Sequence, residues 1–365
     1  MTKAFRILLI LALVLGQSCN PPQAETKYSQ AIEESQRLVD SLFQTGRTPG
    51  MDIAVSIHGK IVWSEAFGFA DLEHQVPILP GVTRFRIGSV SKPITSAALG
   101  RLMDMGKIDI SLPVQAYVPY FPLKLYPVTV KQVGGHISGI RHYRNQEYLM
   151  AERFNTVGEG LDIFKDDSLL FEPGTAFSYS SYGFNLLSAV IEGASGEEFL
   201  SFMQEQVFDP LGMSSTCADK NDSIILHRAS FYELNVSGRY VNARYVDNSY
   251  KWAGGGFIST TADLLKFGEA HMHPGYLSEA TLAMLTTPQV LANGDTTNYG
   301  IGWFVGEEYG LKRISHGGGS IGGITDLLIY PEKEFVLAVV SNSSDTRFGN
   351  VIDEVVRLFL EAEGR

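Results

Sequence analysis

The chain has 365 residues, longer than a single hydrophobic core usually grows, so two lobes are the expected organisation. Its 44% hydrophobic and 19% charged residues exclude a disordered chain. A formal charge of −11 with no clustered Lys and Arg argues against nucleic acid as a partner, because phosphate binding needs grouped cations.

The first elements read as an address. Lys3 and Arg6 give a basic start, and residues 7–15 form an apolar run too short to span a bilayer as a mature helix. Gly16, Gln17, Ser18 and Cys19 close it, so residues 1–19 read as an export signal. Cys19 stands where a bacterial lipoprotein carries its lipid; a simply cleaved signal is the alternative. The expected location is therefore an exported bacterial one, periplasmic or cell-surface, with the lipid on Cys19 as the only membrane contact. Residues 20–27 make a polar, proline-containing tether. Once Cys19 is lipidated Cys217 has no disulfide partner, and it reads as a small core or loop residue.

Ile32, Leu38, Val39, Leu42 and Phe43 then recur at helical spacing, and Gly46 supplies a stop. Ile53, Val55 and Ile57 alternate, His58-Gly59-Lys60 turns, and residues 61–69 return as the second strand of a hairpin. His58 is a turn residue on this reading. Residues 90–105 are helical and stop at Gly106. Between 107 and 250 loops and helices dominate, most clearly helical at 186–192 and 198–207. Strand patterns return at 300–305, 311–315, 324–330 and 335–341, and an amphipathic helix at 351–360 closes the chain. Strands at both ends with helices between predict an α+β fold. An antiparallel sheet flanked by helices would carry an inserted, mostly helical lobe. The sheet lobe would cover about 28–88 and 252–365, and the helical lobe about 89–251 of one catalytic domain over 28–365.

Ser89 and Lys92 fall at the start of the predicted 90–105 helix. Pro93 is tolerated only near a helix start, which puts Ser89 and Lys92 on one face of the first turn. A serine hydroxyl is a poor nucleophile until a base takes its proton, and a buried lysine whose pKa is lowered by desolvation can be that base. The other account is an N-cap serine followed by a solvated lysine; one Ser-x-x-Lys string is no more than chance supplies. Two distant stretches add weight. Tyr179, after the Pro173-Gly174 turn and before a helix, could pair with Lys92 as a second acid or base. The glycines after His316 let a substrate approach the backbone, and their N–H groups could complete an oxyanion hole with that of Ser89.

In order and character, Ser89-Val90-Ser91-Lys92, Tyr179-Ser180-Ser181 and His316-Gly317-Gly318 resemble the three elements of the class C β-lactamase-like serine hydrolases and penicillin-binding proteins. "FRIGSVSKP", "HISGI", "PGTAFSYSS", "DPLGM", "WAGGGFISTTADL" and "YGIGW" share the resemblance, which covers about residues 28–345. Within the family, "GKIDISLPVQAYVPYFP" and "SGIRHY" look most like its mitochondrial serine β-lactamase-like members. The resemblance implies Ser89 as nucleophile, Lys92 as the group that deprotonates it, Tyr179 as second acid/base and His316 on the sheet's edge strand. It also implies an oxyanion hole from the Ser89 and Gly319 amides, with Gly318 and Ser181 beside the substrate. Ser181 departs from the family's usual Asn, and a hydroxyl lacks the two-ended hydrogen bonding of a carboxamide. No metal or organic cofactor is implied, and the partner expected is a small-molecule or peptide substrate.

The string from His316 to Gly322 imitates α/β-hydrolase motifs, but the two motifs overlap and no histidine follows His316 to complete a triad. His271 and His273 lack a third ligand for a metal. The alternative from another class is a scaffold or binding protein that keeps the fold without the chemistry.

Overall fold

A computed structural model describes residues 27–364. Cys19 and residues 20–26 of the tether lie outside the described residues. Three β-strands follow the first helix (Ser29–Gln44): β1 (Gly50–Ile57), β2 (Lys60–Asp71) and β3 (Val76–Pro77). Five short strands lie in the middle of the chain: β4 (Phe85–Arg86), β5 (Cys217–Ala218), β6 (Tyr232–Leu234), β7 (Tyr240–Asn242) and β8 (Phe257–Ser259). Four more close the fold: β9 (Phe304–Glu308), β10 (Leu311–Ser320), β11 (Gly323–Tyr330) and β12 (Phe335–Ser341). The main sheet is antiparallel with order β3-β2-β1-β12-β11-β10-β9, so β1 and β12 from opposite ends of the sequence pair at its centre.

The period of two explains why these strands sit where they do. Met51, Ile53, Val55 and Ile57 of β1 share one face with Phe335, Leu337 and Val339 of β12. There they pack beneath the helices Ser29–Gln44 and Val351–Glu363, through Val39, Leu42, Val355 and Phe359. Ala54, Val336, Ala338 and Val340 point the other way, toward the helix Thr261–Glu269 and the helical lobe. Each such aliphatic side chain taken fully from water contributes roughly 1.5–3 kcal/mol, which makes a central strand covered on both faces the firmest part of the sheet.

The helical lobe is centred on two buried helices, Ser91–Asp104 and Ser181–Ser195. Ser91–Asp104 is buried over most of its length, Lys92 included, so packing and not an amphipathic face holds it. Residues 199–208 begin as an α-helix and widen into a π-turn at Gln204–Phe208. Among the described residues no helix is long and apolar enough to cross a membrane. Cys217 pairs in β5 with its thiol half-buried, 3.8 Å from an Arg84 guanidinium nitrogen.

Two elements differ from expectation. The strand expected at 300–305 begins at Phe304, because Gly302 takes a left-handed φ of +81° where a Cβ would lie 2.1 Å from the Ser96 hydroxyl. The strand expected to end at Ser315 continues through the glycines to Ser320, since β11 pairs with every one of them: Gly317 with Asp326, Gly318 with Thr325 and Gly319 with Ile324. β9 pairs only with residues 311–315 of β10, so the outer edge beside residues 316–320 is open to another element. The turn that carries Ser89 packs there.

Candidate active site

The chain reaches Ser89 from β4, which pairs with β8, through a Gly88 held at φ +47°. Only glycine suits this position: a Cβ would lie 2.6 Å from the Gly319 carbonyl oxygen and 2.8 Å from its nitrogen. Gly318 is equally constrained, because its Cβ would lie 2.0 Å from the Ile87 oxygen and 3.2 Å from the Ser89 nitrogen. Two backbones therefore meet with no side chain between them, and the amides of Ser89 and Gly319 share one small volume. Ser89 itself lies in a 3₁₀ turn, Gly88–Val90, that runs into the helix Ser91–Asp104. Pro93 falls in that helix's first turn, where a missing N–H leaves no intrahelical bond unmade.

Lys92 is fully buried. Its Nζ lies 3.0 Å from Ser89 Oγ, 3.0 Å from Ser181 Oγ and 2.6 Å from the Gly254 carbonyl oxygen. Among the described residues no carboxylate comes within ion-pair distance, so the charged form has no counter-ion to repay its desolvation. Burial, and then the like charge of Lys251, push its pKa well below that of an ordinary lysine. A neutral amine has two N–H donors and one lone pair. Those suit the Gly254 carbonyl, the Ser181 oxygen and an incoming proton from Ser89.

Ser181 arrives at the start of its own helix, Ser181–Ser195, whose N-cap is Ser180; the Ser180 hydroxyl accepts from Gly183 N–H at 3.0 Å. Two buried or half-buried histidines complete that helix end. His136 Nδ1 accepts from Ser180 N–H at 3.2 Å and His142 Nδ1 from Ser181 N–H at 3.1 Å. Acceptor roles require neutral rings, and burial holds both pKa values down, that of His142 to about 4.

Tyr179 precedes this cap. Its ring centre is 4.8 Å from Lys92 Nζ, and burial raises the phenol above its usual pKa while a hydrogen bond with Ser89 opposes the rise. The phenol therefore stays protonated near neutral pH and is a proton donor, not a standing phenolate base. His316 lies within β10 at the head of the glycine run, with Nδ1 donating to the Gly317 carbonyl at 2.6 Å and Nε2 3.1 Å from the Tyr299 hydroxyl. Burial, then the charge of Lys92, lower its pKa to about 3. A neutral, fully engaged ring at that point orients Tyr299 and the strand; it brings no cation to the substrate.

Ser89, Ser181 and Gly319 open on a cavity of about 690 Å³ whose walls include Tyr143, Tyr148, Lys251, Gly254 and Asp326. Sequence reasoning assigned none of these last five a role. Tyr143 and Gly254 lie inside the quoted strings "SGIRHY" and "WAGGGF", whereas Lys251 and Asp326 carry no motif. His271, one of the pair weighed for a metal, is a core residue: Nδ1 donates to the Phe267 carbonyl at 2.7 Å, with Trp303 against its ring.

Taken together, the antiparallel sheet, the inserted helical lobe and a Ser-x-x-Lys helix start between them define the β-lactamase/transpeptidase-like fold of serine hydrolases. The chain belongs to the Beta-lactamase family, whose model matches residues 35–361. It is 35% identical to the mouse protein "Serine beta-lactamase-like protein LACTB, mitochondrial", over 88% of this chain and 77% of the relative. In structure it is similar to the octameric penicillin-binding protein homologue from Pyrococcus abyssi, with a TM-score of 0.80, 24% identity and coverage of 90% of this chain and 77% of that one. It is also similar to the D-amino acid amidase from Ochrobactrum anthropi, with a TM-score of 0.79, 22% identity and coverage of 92% and 99%.

These relatives correct the expected location. The mouse, human and bovine proteins carry the same mitochondrial name, which overturns the expectation of an exported, lipid-anchored bacterial protein. That expectation rested on a basic start, a short apolar run and Cys19, all outside the described residues. The composition of that stretch says nothing about the folded domain that the comparisons match.

Proposed function

We propose that this protein is a serine hydrolase that cleaves an ester or amide bond, of a peptide or small molecule, through an acyl-enzyme on Ser89. The observation that carries this reading is a buried lysine, free of any carboxylate among the described residues, 3.0 Å from the serine hydroxyl. Neutral Lys92 takes the Ser89 proton as Oγ attacks the carbonyl carbon. The carbonyl π electrons move to oxygen, which the Ser89 and Gly319 amides hold; each such donor is typically worth about 2.7–4 kcal/mol in the transition state. Collapse breaks the bond to the leaving group, which takes a proton from the Tyr179 phenol, and the Lys92 ammonium restores that proton. Water then attacks the acyl carbon, and its proton returns to Ser89 Oγ along the same groups.

The test is intact mass of the protein after exposure to an activated ester and, separately, to a β-lactam, with Ser89→Ala as control. A Ser89-dependent mass increase that decays supports turnover through the acyl-enzyme, and a long-lived adduct with the β-lactam alone supports a penicillin-binding peptidase. No increase with either reagent would overturn acylation at Ser89 and leave a binding or scaffold role for the fold.

A further inference from the structure

Ser89 and Gly319 belong to different lobes, so the separation of their amides depends on what joins the two backbones beside them. One buried side chain reaches both. Arg86 ends β4, three residues before Ser89, and its guanidinium bonds in two directions at once. Nε donates to Asp219 Oδ2 at 2.6 Å, just past β5. A terminal nitrogen donates to the Ile321 carbonyl at 2.8 Å, in the β10–β11 turn two residues after Gly319. The Phe231 ring covers the guanidinium, its centre 4.1 Å away. Asp219 is fixed in turn by Arg228 at 2.6 Å and by Asn248 Nδ2 at 2.9 Å. The Arg86 backbone lies against the same turn: its carbonyl accepts from Thr325 Oγ1 at 3.4 Å, and a Cβ at Gly323 would come within 2.7 Å of it.

A buried Arg–Asp pair is costly to desolvate, and apolar residues of the same volume often serve stability as well. What apolar side chains cannot do is hold two acceptors in fixed directions, as the planar fork of a guanidinium does. Here the fork closes a short circuit of chain through Arg86, Ser89, Gly319 and Ile321. The Arg86–Ile321 bond stands at one end of it and the two amides at the other. An oxyanion hole acts only when its donors stand where the charge will develop, and a misplacement of about 1 Å can cost roughly 10²-fold in rate. We propose that Arg86 is a positioning residue that sets the distance between the Ser89 and Gly319 amides by tying the Ile321 turn to Asp219. The inference rests on the acylation site read above. Arg86 then acts on the transition state, where charge sits on the carbonyl oxygen, and leaves ground-state binding alone.

The experiment compares Arg86→Met, Arg86→Lys and Arg228→Met with the parent, all as full-length protein. Stopped-flow acylation by an activated ester, taken to saturation, gives a rate constant and a dissociation constant for each. Thermal unfolding gives stability, and crystal structures of the parent and of one Arg86 variant give the separation of the Ser89 and Gly319 amides. The expected result is an acylation rate about 10–10²-fold lower in both Arg86 variants, a dissociation constant within about threefold of the parent's, and a displaced Ile321 turn. Arg86→Met leaves Asp219 with Arg228 and Asn248, and Arg86→Lys keeps a charge beside Asp219 if the methionine variant fails to fold. A lysine is a point charge and cannot hold Asp219 and Ile321 together. Arg228→Met removes the other cation from Asp219 without a bond to the turn being lost, so it should lower stability and keep the parental rate. Rates within about threefold of the parent in the Arg86 variants, an equal loss in Arg228→Met, or an unmoved Ile321 turn and amide separation would overturn the proposal. A parent chain that forms no acyl adduct would sink the hydrolase reading alone, because the amide separation in the Arg86 variant still decides this one.

Discussion

Lys92 and Lys251 are buried amines at the same site, and their surroundings differ. Lys92 has three oxygen partners and touches the nucleophile; Lys251 has one hydrogen-bond acceptor, the Tyr148 carbonyl, on the wall of the cavity. On this geometry Lys92→Met lowers the rate of Ser89 acylation by about 10²–10⁴-fold, the usual reach of a general base. The parent rate rises with pH along an ionisation well below that of free lysine, because only the neutral amine can take the proton. Stopped-flow acylation by an activated ester between pH 5 and 10 checks both points. A methionine variant within tenfold of the parent, or sharing its pH profile, would assign the base elsewhere. Lys92 was legible from the sequence because Pro93 fixed its place on a first helical turn. Lys251 was not, since a lysine between a tyrosine and a tryptophan reads as a surface residue, and only the tertiary fold shuts it in.

At the scale of elements, the site depends on a strand that its own sequence disfavours. Three successive glycines cost backbone entropy and offer no side chains to pack, which is why alternation suggested a strand ending at Ser315. Pairing with β11 overrides that propensity, residue by residue through Gly319. The same glycines permit the Ser89 turn to lie against the strand's open edge. Gly318→Ala therefore should not be tolerated as a quiet change: its Cβ would fall 2.0 Å from the Ile87 oxygen, so one backbone must move. The expected outcome is a loss of acylation of about 10²–10³-fold, the scale of one oxyanion donor misplaced. Thermal unfolding and the acylation rate, measured together, test this; an alanine variant with parental activity would show that the two backbones do not form the hole. β1, β12 and the two terminal helices were plain from alternation and helical spacing. The short strands of the helical lobe were not, because two- and three-residue pairings such as β5 with β8 carry no period to read.

Across the whole molecule, the buried titrating groups set how the fold responds to pH. His136, His142, His271 and His316 are all held below the ordinary histidine pKa by burial, the last three to about 4, 4 and 3. For such groups the unfolded chain binds more protons than the native one once the pH falls below about 6.5, so stability is lost as the solution is acidified toward 4. His271 alone accounts for a loss on the order of 3 kcal/mol over that interval. Asp52 and Asp326 act in the opposite sense. Burial raises their pKa values to about 6 and about 7, so they are protonated in the native state and favour it as pH falls. Burial raises Glu192 and Asp353 as well, but Glu147, Asp167 and Glu363 are held low by their hydrogen-bonded partners and lose that stabilisation on acidification as the imidazoles do, so the net slope below 6.5 remains positive with pH. Above neutrality the two lysines take over: their native pKa values lie below the unfolded value of 10.5, so stability goes on rising until the free chain also loses those protons. The thermal midpoint should therefore climb steadily from pH 4 to about 9, without the maximum near pH 5–6 that paired surface carboxylates would give. His271→Phe, which keeps an aromatic ring against Phe267 and Trp303, should flatten the acid limb; a midpoint curve with an unchanged acid slope would mean that the buried histidines do not control it. Acylation and stability would then share one direction, since the proton that Lys92 must shed to act is also one that the native fold is better off without.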